Sequence, residues 1–189
     1  GATSICAGQC GTYTSGAGGA WSSSNPAVGT INATGTFCGI ASGTTNITYL
    51  MPTGCYRTLT VLVNGLPTGM TPSAPQVCVG STQVMTGAPA GGTWSSSTPA
   101  VGTISAGGGT LGGITAGTTT LTYTNVTGCY ITQTATVNAL PGAVTGVLTT
   151  CVGQTTTLSA TPAGGTWAVS TGTGTATIGS STGILLGGK

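Results

Sequence analysis

The sequence predicts an all-β chain of tandem Greek-key β-sandwiches arranged end to end, and three observations carry that expectation. Trp21, Trp94 and Trp167 recur every 73 residues, each just after a Gly-Gly pair, so one unit is written two and a half times. Apolar and polar residues alternate with period two between clusters of Gly, Pro, Ser and Thr, and no helical pattern occurs anywhere. About seven such short strands fit into each unit, the number a Greek-key sandwich uses.

The first unit spans 1–66 and the second 67–140. Gly-Gly-Ala-Trp-Ser-Ser-Ser-Asn-Pro-Ala-Val-Gly-Thr-Ile at 18–31 matches Gly-Gly-Thr-Trp-Ser-Ser-Ser-Thr-Pro-Ala-Val-Gly-Thr-Ile at 91–104 almost residue for residue. Tyr13, Met85 and Leu158 occupy matching positions and are expected in the core, as are the tryptophans, placed on a central strand where a Trp is normally buried. A strand is expected at 45–49 and its copy at 119–123. There Ile47 and Tyr49, or Leu121 and Tyr123, share one face and threonines take the other. A second strand, at 58–63 and 132–137, closes each unit and leads into Asn64-Gly-Leu-Pro67 or Asn138-Ala-Leu-Pro141. Proline cannot continue a ladder and stiffens a short connection, so these joints should hold consecutive units end to end with limited swing.

Composition excludes most chemistry. The chain has no Asp, Glu or His, and Arg57 and Lys189 are its two cationic side chains. General acid–base catalysis near neutral pH is usually done by His or a carboxylate, and a Ser or Cys nucleophile needs a neighbouring base, so an enzyme is not expected and no cofactor is implied. Calcium sites need carboxylates, and no metal site is expected. Two positive charges make no basic stripe, which argues against nucleic acid, and no stretch approaches the roughly 20 apolar residues of a membrane-spanning helix. A nearly uncharged chain with positive mean hydropathy lacks the repulsion that keeps soluble proteins apart, so self-association is expected.

The run Gly-Gly-x-Trp-Ser-Ser-Ser-x-Pro-Ala-Val-Gly-Thr-Ile, a Gly-rich turn, and then Ile-x-x-Gly-Thr-Thr-x-(Ile or Leu)-Thr-Tyr resembles the bacterial immunoglobulin-like (Big) repeat. It is most similar to the cysteine-bearing kind strung along large secreted surface proteins of Bacteroidetes-type bacteria. The resemblance covers 18–63 and 91–137 and part of 164–188. It implies an Ig-like sandwich array, extracellular or on the cell surface, acting as stalk, adhesin or filament, with no general catalytic residues to carry over.

The cysteines follow the repeat. Cys6, Cys78 and Cys151 share x-Cys-x-Gly, while Cys55 and Cys129 share Thr-Gly-Cys-Tyr, which points to disulfides and an oxidising compartment. Two frameworks fit. Within units, Cys6 pairs with Cys55 and Cys78 with Cys129. Between units, Cys55 pairs with Cys78 and Cys129 with Cys151. The first is favoured, because a small sandwich without charge pairs gains most from an internal bridge. Cys10 and Cys38 have no equivalents in the second unit and are expected to pair with each other. One cysteine is then left over, Cys151 or Cys6, for residues elsewhere or another chain.

The third unit, 141–189, stops before its last two strands. Either the polypeptide continues as a longer array, or a neighbouring molecule completes the sheet by strand complementation, a head-to-tail contact that builds fibres. Asn32, Asn46 and Asn125 sit in N-glycosylation patterns that a Thr-rich chain produces by chance, and no glycan is expected there. The Thr-x-Thr run at 171–177 reads as an exposed β-strand. The functional expectation is a non-catalytic segment of an extracellular bacterial filament or stalk. The alternative is an adhesin module whose aromatics bind a glycan or host surface.

Overall fold

A computed structural model of the chain describes residues 3–16, 18–170 and 175–188, and among them every regular element is a strand. The first repeat supplies β1 (Ser4–Cys6), β2 (Cys10–Thr12), β3 (Ala20–Ser23), β4 (Gly29–Ile31), β5 (Thr36–Gly39), β6 (Gly43–Leu50) and β7 (Tyr56–Asn64). They form two sheets, β1-β7-β6-β3 and β2-β5-β4. Sequence neighbours β1 and β2 lie in different sheets, as do β3 and β4, and β5 and β6, which is the Greek-key, Ig-like connectivity. The long hairpin β6–β7 runs in register from Gly43 against Val63 to Leu50 against Tyr56. Strand β1 then adds to β7 in parallel, Cys6 opposite Asn64.

The core lies between the sheets and contains Tyr13, Phe37, Ile47, Val61 and Val63. Period two puts Val61 and Val63 inward on β7 and leaves Thr60 and Leu62 outside.

The second repeat builds the same body from β8 (Gly69–Thr71), β9 (Gln76–Cys78), β10 (Thr82–Val84), β11 (Thr86–Ala88), β12 (Thr93–Ser96), β13 (Gly102–Ile104), β14 (Thr110–Gly113), β15 (Gly117–Thr124) and β16 (Tyr130–Asn138). Its sheets are β12-β15-β16-β9 and β10-β14-β13, with an additional ribbon β11-β8. Met70, Val77, Met85, Trp94, Leu111, Leu121, Tyr123, Ala135 and Val137 fill the core.

The third repeat forms one sheet, β17-β18-β20-β19, from β17 (Thr145–Gly146), β18 (Thr155–Ser159), β19 (Thr177–Ile178) and β20 (Ile184–Leu186). The opposing sheet has no counterpart among the described residues, and Leu158 and Trp167 are only half-buried. Of the 171–177 run, residues 171–174 lie outside the described residues and Thr177 begins β19.

The chain divides into two compact units, Gly1–Asn138, which holds the first two repeats, and Ala139–Lys189. Two features depart from the sequence reading. The tryptophans are not on central strands: β3 and β12 are edge strands, where Trp94 is buried and Trp21 half-exposed, and Trp167 lies outside any strand. Thr45 and Thr119 do not face solvent with the other threonines. They share parity with Ile47 and Leu121 and are buried, for a reason given next.

Candidate functional site

The hydroxyl-rich run after each Trp is a structural lock. In the first repeat the Ser23 and Thr45 hydroxyls lie 2.9 Å apart, the Asn25 amide donates to Thr45 Oγ1 at 3.0 Å, and Ser23 Oγ donates to the Gly29 carbonyl at 2.6 Å. The second repeat repeats this with Ser96 and Thr119 at 2.7 Å, the Thr98 amide on Thr119 Oγ1 at 3.1 Å, and Ser96 on the Gly102 carbonyl at 2.6 Å. Ser24 and Ser97 accept from the amides of Asn46 and Thr120. Each bend between β3 and β4, or β12 and β13, is thus tied to β6 or β15. A buried threonine there is satisfied rather than stranded.

The Gly-Gly pair and the Trp are explained by packing. Gly19 and Gly92 sit against the rings of Tyr49 and Tyr123, where an added Cβ would fall 2.4 Å and 2.6 Å from the phenol Cζ. The same amides donate to the tyrosine hydroxyls, at 2.7 Å for Gly19 and 3.0 Å for Gly92. Trp21 packs on Tyr49 and Trp94 on Tyr123 with ring centroids 4.8 and 4.7 Å apart. Gly109, at φ +63°, leaves room for the Trp94 indole, and Gly35 and Gly183 do the same for Trp21 and Trp167. The most recognisable motif in the chain is therefore an internal scaffold, with its hydroxyls and amides turned to one another.

The cysteines mark the repeat junction. Cys6 bonds Cys129, with Cα atoms 5.7 Å apart across 123 residues of sequence, and Cys10 bonds Cys38 across the neighbouring strands β2 and β5. Neither framework expected from the sequence forms: Cys6 does not bond Cys55, Cys78 does not bond Cys129, and Cys55, Cys78 and Cys151 are exposed free thiols. The reason is topological. Parallel pairing puts Cys6 beside Asn64, where the chain leaves the first repeat, and the turn between β15 and β16 that carries Cys129 belongs to the next repeat.

Asn125 holds that turn. Its side-chain oxygen accepts from the amides of Thr127 and Cys129 and from the Thr127 hydroxyl, and its Nδ2 reaches back to the Gly65 carbonyl at 3.0 Å. Asn125 is buried in this role, which leaves its glycosylation pattern unusable. Sequence reasoning missed Asn125 as a junction residue. The available signal was that it replaces Met51, its counterpart four residues before the cysteine.

A second feature is open and aromatic. A cavity of about 420 Å³ in the first repeat is lined by Tyr13, Trp21, Tyr49 and Arg57 among others. In the second repeat β8 pairs with β11 and buries Met70 in the core. Among the described residues no three metal-ligating side chains come together, and no helix is long and apolar enough to cross a membrane.

Neither a protein-family model nor a curated protein matches the chain. Among solved structures it is similar to domains 4 and 5 of the S-layer protein SbsC, at 19% identity over 64% of this chain and 70% of that one, with a TM-score of 0.28. It is similar to a C-terminal 282-residue fragment of intimin, solved with the translocated intimin receptor, at 15% identity, covering 71% of this chain and 55% of that one, with a TM-score of 0.42. The human desmocollin-1 ectodomain aligns at 11% identity over 98% of this chain and 52% of its own length, with a TM-score of 0.34. The chain thus spans about half of the intimin and desmocollin chains, and at these scores the likeness carries no argument about function. The all-β, two-sheet repeat stands on its own strand order.

Proposed function

We propose that this chain is a non-catalytic extracellular segment of a bacterial surface filament or stalk, in which repeats serve as length. The observation that supports this reading best is the Cys6–Cys129 bond, which joins one repeat to the next. A bridge between repeats resists pulling and bending more directly than a bridge within one, and disulfides persist in extracellular and periplasmic compartments. The recurring hydroxyls and aromatics are consumed by internal packing, as a structural repeat requires.

Immunogold labelling of intact producing cells tests the reading. Label along surface fibres or stalks is expected, and label seen only after permeabilisation would overturn it.

A further inference from the structure

The asparagines of the chain are held in different ways, and the difference isolates one of them. Asn25 precedes Pro26, which has no amide hydrogen. Asn32, Asn46 and Asn125 have engaged side chains: Asn32 accepts from the amides of Thr34 and Thr36, Asn46 accepts from the Thr60 hydroxyl at 2.8 Å, and Asn125 reaches across the repeat junction. Each precedes a residue with a Cβ. Asn138 donates from Nδ2 to Gln76 Oε1 at 3.3 Å and precedes Ala139.

Asn64 is the counterpart of Asn138 one repeat earlier, and it differs on both counts. Its side chain makes no hydrogen bond among the described residues, and it precedes Gly65, whose backbone amide makes none either. Both residues are half-buried, so water reaches them.

An amide nitrogen that follows asparagine can attack the side-chain Cγ and close a five-membered imide, and glycine presents that nitrogen with no Cβ in the way. Hydroxide takes the proton from the nitrogen. The reaction needs no side-chain acid or base, so it is open to a chain without Asp, Glu or His.

The fold supplies a brake. Asn64 ends the β1–β7 ladder opposite Cys6, and its carbonyl accepts from the Ala7 amide at 2.9 Å. The next carbonyl, that of Gly65, accepts from Asn125 Nδ2 of the second repeat at 3.0 Å. Bringing Gly65 N onto Asn64 Cγ turns the intervening peptide about the Asn64 Cα–C bond, and both hydrogen bonds must then give way. The Cys6–Cys129 bond, with Cys129 Sγ 3.9 Å from the Asn64 carbonyl oxygen, holds the two sides together and opposes that turn.

We infer that Asn64 is a site of spontaneous covalent modification, converted to aspartate and isoaspartate through an imide with Gly65 at a rate set by the repeat junction. Gly65 N bonds to Asn64 Cγ, the Cγ–Nδ2 bond breaks, and Nδ2 leaves as ammonia with the proton that Gly65 N gives up. One water then opens the imide. Cleavage of the new Cγ–N bond gives aspartate, and cleavage of the original backbone C–N bond gives isoaspartate, whose main chain runs through Cβ and Cγ. Either acid releases its proton to solvent. Each product is the first carboxylate side chain of the molecule, and isoaspartate also inserts a methylene between β7 and the carbonyl that Asn125 holds. An opened junction is thereby marked irreversibly. The inference goes beyond the filament reading and stands or falls without it.

The test is prolonged incubation of the purified protein at a series of alkaline pH values, read by mass spectrometry of chymotryptic peptides and by isoaspartate-specific methylation. The amide-to-acid mass gain should accumulate at Asn64 several-fold faster than at Asn138, with isoaspartate present, and its rate should rise with hydroxide. Gly65→Ala should slow it several-fold. An added Cβ there meets Ser42 Cβ at 3.5 Å, an ordinary contact, so this variant keeps the fold. Cys129→Ser should speed the loss several-fold at Asn64 and leave Asn138 unchanged, with hydrogen-exchange protection of Val61 and Val63 showing that the first repeat stays folded. Modification that appears first at another asparagine, a rate unmoved by Gly65→Ala, or a rate unmoved by Cys129→Ser overturns the inference.

Discussion

Ser23 and Thr45, on strands β3 and β6, share a hydroxyl hydrogen bond of 2.9 Å, and 73–74 residues later Ser96 and Thr119 share one of 2.7 Å. The pair turns a serine run that looks like solvated surface into the fastening between two strands and a bend. It also puts a polar side chain in an apolar core at no evident cost, because the amide of Asn25 or Thr98 completes the set.

Replacing Thr119 by Val keeps the shape and removes the oxygen, leaving the Ser96 hydroxyl and the Thr98 amide without that partner. We expect a loss of about 1–3 kcal/mol in denaturant unfolding, the cost of stranding buried polar groups. Thr118→Val, on the exposed face of the same strand, should change stability by less than about 0.5 kcal/mol. Equal effects at the two sites would refute the lock.

Breaking the junction should uncouple the first two repeats. Cys6→Ser or Cys129→Ser is expected to lower stability by about 2–4 kcal/mol and to split one calorimetric transition into two, while Cys55→Ser leaves the scan unchanged. A single unshifted transition in Cys129→Ser would show that packing alone couples the repeats.

Gly109 has φ +63°, and an added Cβ would lie 2.5 Å from the Met85 carbonyl oxygen and 2.9 Å from Trp94 Nε1. Gly109→Ala should therefore cost about 1–3 kcal/mol in backbone strain alone and shift the Trp fluorescence as the indole is displaced. Gly107→Ala, with open space around its Cβ, serves as the comparison. Matching melting temperatures for the two variants would remove the packing argument.

Stability should be nearly flat from about pH 3 to pH 8, because no carboxylate or His side chain is present to titrate. Above that range it should fall. Burial raises the Tyr13 pKa above its usual 10.0, so the folded state holds the phenol proton at a pH where the unfolded chain has released it. That stabilisation is complete below the unfolded pKa and lost as pH rises through the folded one. Melting temperature against pH reads this directly, and Tyr13→Phe should lessen the alkaline slope. A steep acid limb would contradict the account.

The sequence made the strands visible wherever alternation was strong. The pairs 45–49 with 58–63 and 119–123 with 132–137 lie within β6–β7 and β15–β16, because β-branched residues on a half-buried hairpin leave a local signature. Thr45 was illegible: its inward turn depends on Ser23 and Asn25, 22 and 20 residues upstream, and local alternation carries no record of them. The pairing of Cys6 was hidden for a related reason. Loop-closure arguments rank bridges within one sandwich, whereas the parallel addition of β1 to β7 delivers Cys6 to the far end of its repeat, within reach of the next. Asn125 was read as a glycosylation pattern because the carbonyl it binds belongs to Gly65, sixty residues away.

The Cys6–Cys129 bond also has a mechanical meaning. A stretching force applied through Ser4 and Asn138 need not run along the polypeptide between them. It can cross from Cys6 to Cys129 through a single sulfur bridge and continue down β16, bypassing the 122 intervening residues. Two Ig-like bodies are then carried as slack, and tension reaches them as shear on the contacts of β1 with β7 and of β16 with β9 and β15. Under reduction the same segment could pay out its hidden contour of roughly 400 Å, at about 3.3–3.6 Å per extended residue. Redox state would then decide whether tension reaches the two folds, and their strength how far the segment extends.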